Sequence, residues 1–301
     1  MAGSKTEFEE FLAKEVLETK GVRFPVKTGP LTRMLVKKAP CRSIHPNPED
    51  EFCMPEIGPN YNVIETYQKK FRANADLGGP LSEEPVIVER LYPDGYMIIN
   101  GHHRWAASLR IGREKIPVRI VNLMHEADIR QMLQNSKHEK RAVFDLDEVL
   151  LRSEGDPFLE PPLSFPWNKL YKERVRLGVP ALLHFLAKNG YDIWVYSAQF
   201  PSADAVQEFF RKYHAGVDAV ISAAGKRATT AGPAGKKIEK LIVDKYLFTL
   251  HIDNNMILQI FTGKKEVREF ELSGAPDAWS QEIIDVVERI EKEAEYAQAQ
   301  T

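Results

Sequence analysis

From Arg141 onward the chain alternates β-forming runs with helical ones, and this rhythm constrains the fold more than any other feature. It opens with Ala142-Val-Phe-Asp-Leu-Asp-Glu-Val149, within the run 142–151. Strands are expected again at DIWVYS (192–197), DAVISAA (218–224), LFTLHID (247–253) and MILQIF (256–261). Helices are expected over 176–189, ended by Asn189-Gly190, and over 202–214, 235–246 and 279–297. Strands and helices at this spacing predict a parallel sheet with helices on both faces. Asp145 and Asp147 stand one residue apart in the first run. Strand side chains alternate, so both acids are expected to leave the same side of a strand end. Neighbouring carboxylates repel unless a cation or a shared proton relieves them, so the pair predicts a metal site or an acid/base pair.

The first half has a different texture. Residues 7–20 carry helical periodicity (Phe8, Phe11, Leu12, Val16, Leu17) and predict an amphipathic opening helix. RMLVKK (33–38) reads as a short strand, and 39–60, rich in Pro, Asn and Gly, as a long ordered loop. A helix is expected over 61–73. Strands at 85–91 and 96–99 are joined by the hairpin turn Tyr92-Pro-Asp-Gly95. A helix through Arg110, a strand at 116–121 and a polar helix over 125–140 complete this half. The change of texture at 138–141 predicts two domains, 1–140 and 141–301: an α+β domain followed by a Rossmann-like α/β domain.

Composition excludes several classes. The 301 residues are 43% hydrophobic and 28% charged, which describes a globular protein. A net charge of -2 gives no global basic field for nucleic acid. Two cysteines, Cys41 and Cys53, argue against a disulfide scaffold and do not by themselves make a zinc site. The N-terminal segment lacks the apolar core of a secretory signal, and no apolar run is long enough to span a membrane. The expected location is cytoplasmic, with no membrane partner.

In a parallel α/β sheet, ligands gather at the carboxyl ends of the strands. Here those ends carry Asp145 and Asp147, then Ser197, then Asp253-Asn254-Asn255, with a basic residue expected from 226–245. Asp145 is placed to attack phosphorus as a carboxylate nucleophile. Asp147 is placed to protonate the leaving oxygen and later deprotonate water. Asp145, Asp147 and Asp253 are the candidate ligands for Mg²⁺, a cation that takes oxygen donors. Ser197 and a lysine would neutralise phosphoryl oxygens. Ser197 alone reads as a helix cap; its place in the ordered set marks it as a ligand.

This set resembles the haloacid dehalogenase superfamily of phosphohydrolases over residues 141–297. VFDLDEV matches its first motif, Val195-Tyr-Ser197 its second, and Leu250-His-Ile-Asp-Asn254 its last. The resemblance implies Mg²⁺-dependent hydrolysis of a phosphomonoester through an aspartyl-phosphate. It favours Lys237 among Lys226, Lys236, Lys237 and Lys240 as the motif lysine. The family often ends its last motif in two acids, whereas this chain has Asn254. Apart from the crossover helix, only a small Pro-rich flap, 155–167, lies between the first two motifs. An open site is therefore expected, suited to a bulky phosphorylated substrate or to a lid supplied by the N-terminal half, with a small phosphorylated molecule as the other substrate class.

The N-terminal half has its own focus, Ile98-Ile-Asn-Gly-His-His-Arg-Trp-Ala-Ala-Ser-Leu109. A strand end, a glycine turn and a helix start make an anion site from free N–H groups and the helix dipole. Gly101, His102, His103 and Arg104 are its candidate residues. The segment resembles the ParB/sulfiredoxin superfamily over residues 30–135, through Gly101-His-His-Arg-Trp-Ala-Ala107, His45-Pro-Asn-Pro48 and Ile116–Val121. Sulfiredoxin uses a cysteine where this chain has His102, so that chemistry is not expected. The resemblance implies binding of a nucleotide (ATP, ADP or CTP) or another phosphate. The free serine kinase branch adds a carboxylate base, for which Glu49 and Glu51 are candidates. Two alternatives stand beside this reading: a partition-like, nucleotide-dependent DNA-binding protein with a degenerate second domain, and a nucleic-acid-end phosphatase.

Overall fold

The computed structural model describes residues 5–36, 38–76, 83–222, 232–263 and 266–299, and the chain forms two compact units, Met1–Asn122 and Leu123–Thr301. Among the described residues no helix is long and apolar enough to cross a membrane.

The first unit contains strands β1 (Phe24–Pro25), β2 (Lys38–Pro40), β3 (Ile44–His45), β4 (Val86–Tyr92), β5 (Tyr96–Asn100) and β6 (Lys115–Ile120). Its helices are α1 (Lys5–Thr19), α2 (Pro30–Leu35), α3 (Tyr61–Asp76) and α4 (His102–Arg110). The strands run in the order β2-β6-β4-β5-β3, with β1 beside β4. β4 and β5 form the expected antiparallel hairpin, while β4 pairs with β6, and β5 with β3, in parallel. Apolar positions of α1 (Phe8, Leu12), α3 (Ile64, Phe71) and α4 (Trp105, Ala106, Ala107) close on Val86, Val88, Ile98, Ile116, Val118 and Ile120 of the sheet. Trp105 is wholly buried, and its indole N–H donates to the Cys41 carbonyl at 3.1 Å.

One expectation fails here. Residues 33–38 are not a strand: α2 ends at Leu35, and pairing begins only at Lys38, with β6. Pro30 sits at the first helical position, where its missing N–H is no loss and its fixed φ suits a helix. The long loop is ordered, as expected, by β3 and two 3₁₀ turns, Cys41–Ser43 and Glu51–Cys53. Asp50 caps the second by accepting from the Phe52 N–H at 3.0 Å.

The second unit contains helices α5 (Glu126–Asn135), α6 (Trp167–Leu170), α7 (Val179–Lys188), α8 (Ala203–Lys212), α9 (Gly232–Lys245) and α10 (Trp279–Ala299). Its strands are β7 (Lys140–Asp145), β8 (Leu151–Arg152), β9 (Arg174–Val175), β10 (Tyr191–Ser197), β11 (Ala219–Ser222), β12 (Phe248–Ile252), β13 (Met256–Phe261) and β14 (Val267–Glu271). The sheet order is β11-β10-β7-β12-β13-β14. The first four strands are mutually parallel, and β13 and β14 extend the sheet antiparallel at one edge. β14 is an addition to the expected strands. The period-2 alternation of each strand covers both faces. Ala142, Phe144, Ile193, Val195, Leu250 and Ile252 pack with α7, α8 and α10. Val143, Trp194, Ala219 and Ile221 pack instead with Ile129 and Leu133 of α5 and Ile238 of α9. The α/β class with helices on both faces is therefore present.

The units part between Asn122 and Leu123, not at 140/141. The physical reason is α5: its apolar side chains Ile129 and Leu133 are buried against the sheet of the second unit.

Candidate functional site

Three adjacent strands, β10, β7 and β12, present their carboxyl ends along one sheet edge. They place Ser197 at the end of β10, Asp145 at the end of β7 and Asp253 just beyond β12. These three residues therefore lie along one edge; the basic residue expected to join them from 226–245 is not among the described side chains placed there. The two acids of the first motif, however, do not share a strand. β7 stops at Asp145 and the chain turns through a π-helical turn, Leu146–Leu150, whose first N–H groups need acceptors. Asp145 Oδ1 accepts from the Glu148 N–H at 2.7 Å. Asp147 swings to β10, where its Oδ2 accepts from Ser197 Oγ at 2.8 Å and from the Ala198 N–H at 2.9 Å. Ser197 Oγ accepts in turn from the Gln199 N–H at 3.0 Å. Ser197 is buried, and Asp145 and Asp147 are half-buried.

Asp253 is exposed, and its Oδ1 accepts from the Asn254 N–H at 2.6 Å. Its carbonyl accepts from the Trp279 indole at 3.0 Å, which fixes the loop. Among the described residues, Oδ2 of Asp145 and Oδ2 of Asp253 have no hydrogen-bond partner. Among those residues, too, no three His, Cys, Asp or Glu side chains gather closely enough to hold a metal ion. Oδ2 of Asp147 is taken up by Ser197 and Ala198. Lys237 stands on α9, and its side chain lies outside the described residues, as does Lys226; Lys240 is exposed.

Two arginines escaped the sequence reading. Arg152 of β8 and Arg176, just after β9, both donate to Asn254 Oδ1, the latter at 2.8 Å. The Arg176 guanidinium also lies over the Trp279 ring, 3.9 Å from its centre.

In the first unit, Gly101 joins β5 to α4 in the left-handed region, with φ +102°. No side chain caps the start of α4, so its first N–H groups have no capping acceptor there. The flanking side chains are occupied by the fold itself. His102 Nε2 accepts from the Asn47 N–H at 3.2 Å, and its ring stacks on Phe52 at 5.3 Å. His103 Nε2 accepts from the Asn60 N–H at 3.2 Å. Arg104 donates to Glu84 at 2.7 Å, to the Pro85 carbonyl at 3.2 Å and to Asn100 Oδ1 at 3.1 Å. The groups left at the turn for an anion would be backbone N–H groups. The two histidines and Arg104 hold the surrounding loops. Glu49 and Glu51 are exposed; the acid that faces His102 is Asp50, at 3.6 Å from Nδ1.

A Cβ at position 101 would stand 2.7 Å from Arg104 Nη2, which the Pro85 carbonyl and Asn100 Oδ1 pin. Gly101→Ala is expected to cost about 1–3 kcal/mol and to move α4, measurable as a lower urea midpoint. Burial pushes His102 down to about 4, against the opposing pull of Asp50. The unfolded chain, with His near 6.5, then binds a proton that the folded chain refuses. Stability from His102 is complete above 6.5 and falls as pH drops toward 4, by on the order of 2–3 kcal/mol. An NMR titration showing His102 protonating near 6.5 in the folded protein would contradict this.

The family model described as the ParB N-terminal domain matches residues 82–137. The matched segment takes in β4, β5, α4 and β6, with the Gly101 turn, and runs on through α5. This part of the chain is ParB-like. No curated protein matches the chain.

Proposed function

We propose that the second unit is a phosphohydrolase of the haloacid dehalogenase type, joined to a ParB/sulfiredoxin-like unit that binds a nucleotide or another phosphate. The observation that carries the first part is the Asp147–Ser197 contact beside Asp145 at one sheet edge. Asp145 offers a carboxylate oxygen with no partner among the described residues, as a nucleophile requires. Attack on phosphorus forms an aspartyl-phosphate as the P–O bond to the leaving group breaks. Asp147, held by Ser197 and Ala198 through Oδ2, keeps Oδ1 to give that leaving oxygen its proton and then to take one from water. The donor set fits Mg²⁺: Asp145 and Asp253 supply hard carboxylate oxygens, and Mg²⁺ keeps several waters, so three carboxylates are not required. When bound, the ion would neutralise charge on the phosphoryl group.

In the ParB-like unit, the uncapped start of α4 behind Gly101 supports phosphate binding by backbone N–H groups. ATP, ADP and CTP are the nucleotides to try. Kinase activity is the finer version of this proposal, and the half-buried Asp50 beside His102 replaces Glu49 and Glu51 as its candidate acid.

A phosphatase screen over small phosphomonoesters and 5′-phosphorylated oligonucleotides, with Mg²⁺ and with EDTA, tests the second unit. Turnover that needs Mg²⁺ is expected; no turnover of any substrate would sink the assignment. A thermal-shift series with ATP, ADP and CTP tests the first unit, where stabilisation lost in Gly101→Ala is expected.

A further inference from the structure

The β8–β9 flap concentrates positive charge beside the Asp145 edge. Arg152 and Arg174 stand directly opposite each other in the antiparallel pair, an arrangement that like charges destabilise. Arg176 follows two residues on, is 5% exposed, and meets Arg152 at a shared acceptor, Asn254 Oδ1. Among the described residues none of the three arginines forms an ion pair with a carboxylate. The nearby acids accept instead from backbone N–H groups: Glu160 from Gly178 at 2.7 Å, Glu173 from Lys172 at 3.0 Å, and Asp156 from Phe158 at 2.8 Å. Burial, and then the charge of Arg152, hold the Arg176 guanidinium down at about 10, with Asp156 opposing.

The acceptor is informative. A second acid at position 254 would neutralise the arginines; the amide of Asn254 orients both without neutralising either. Two guanidiniums fixed on one neutral atom are preorganised for an oxyanion with several acceptors, which arginine binds in a planar, forked geometry. Asn254 adjoins Asp253, and its amide N–H₂ lies 3.4 Å from the carbonyl of Glu148, whose N–H holds Asp145. The pair therefore belongs to the same loop cluster as the nucleophile.

We propose that Arg152 and Arg176, positioned by Asn254, form a subsite for a second phosphoryl group of the substrate, next to the one transferred to Asp145. The substrate class is a phosphomonoester that carries another phosphate nearby. That phosphate is either a second monoester on a small nucleotide or the first phosphodiester of a nucleic-acid end. This rests on the phosphohydrolase reading and adds its specificity.

The test compares kcat/KM for a nucleoside 5′-monophosphate, a nucleoside 3′,5′-bisphosphate and a 5′-phosphorylated dinucleotide, using the full chain with Mg²⁺. A preference of about tenfold or more for a second phosphate is expected, and the dinucleotide against the bisphosphate tells which source is used. The preference should collapse in Arg152→Ala, in Arg176→Lys and in Asn254→Asp, where the new carboxylate pairs with the arginines. Arg152 and Asn254 are only half-buried, so those two variants keep the test sharp should Arg176→Lys fold poorly. Turnover of the monophosphate with no preference, unaltered by these substitutions, overturns the subsite and leaves the phosphohydrolase standing. Absence of all turnover overturns the phosphohydrolase. In that case calorimetric binding of the bisphosphate to the full chain decides, and equal affinity in wild type and Arg152→Ala removes the subsite too.

Discussion

Asp145→Asn is expected to lower phosphomonoester turnover by about 10⁴-fold or more, the scale on which removal of a nucleophile acts in other hydrolases, while leaving the unfolding transition almost unmoved. The two halves of that expectation have different origins. The carboxamide retains Oδ1, so the cap to the Glu148 N–H at 2.7 Å survives and the π-helical turn stays closed. What is lost is the anionic oxygen that has no partner among the described residues, and with it the aspartyl-phosphate. Under the proposed mechanism Asp145→Asn removes the chemical step rather than the contacts that hold substrate, so KM should change much less than kcat. Asp147→Asn should behave differently: it removes the proton carrier but also weakens a structural contact with Ser197 and Ala198. Single-turnover assays with urea melts on the same samples separate these outcomes. Turnover of Asp145→Asn within tenfold of wild type, with Mg²⁺ present, would remove Asp145 as nucleophile.

The sheet edge was legible because each strand is an apolar run that stops at a polar residue. The runs before Asp145, Ser197 and Asp253 fix β7, β10 and β12, and right-handed α/β connections leave few places to put them. Tertiary partners were not legible. Arg152 and Arg176 meet Asn254 across 102 and 78 positions of sequence, so nothing local announces the contact. The acids Glu49, Asp50 and Glu51 are consecutive, and only the 3₁₀ turn decides that Asp50 faces inward. Met34 and Leu35 read as part of a short strand over 33–38, yet they are exposed residues of a short helix that follows Gly29 and opens with Pro30. In α5, Ile129 and Leu133 announce one buried face through their i, i+4 spacing. That spacing cannot say which sheet receives it. The ParB-like match runs to residue 137 while the helix packs in the second unit, so sequence ancestry and compactness draw the boundary in different places.

The largest effect on stability is expected at the opposite end of the same sheet. Asp192, near the start of β10, is 2% exposed and accepts from Ser136 Oγ at 2.7 Å, His138 Nδ1 at 2.9 Å and Tyr246 Oη at 2.7 Å. Through these bonds one carboxylate ties the end of α5 and the end of α9 to the sheet. Lys245 Nζ reinforces the junction by donating to the Ser136 carbonyl at 2.7 Å. Asp192→Ala strands the Tyr246 hydroxyl in a buried site and opens a small void. Loss of one partner of a buried charged network costs about 3–5 kcal/mol. Asp192→Asn should cost less, because the amide still accepts from Tyr246, though its N–H₂ meets another donor. Tyr246→Phe should cost about 1 kcal/mol, the net worth of one hydrogen bond. Denaturant melts check the order, and a cost below about 1 kcal/mol for Asp192→Ala would show that the network is dispensable. Ser197 lies five residues further along the same strand, at the edge where the proposed chemistry sits. Folded Asp192→Ala should therefore keep its kcat, while Asp145→Asn keeps its stability. That reciprocal pattern is what a sheet with a structural amino end and a chemical carboxyl end requires.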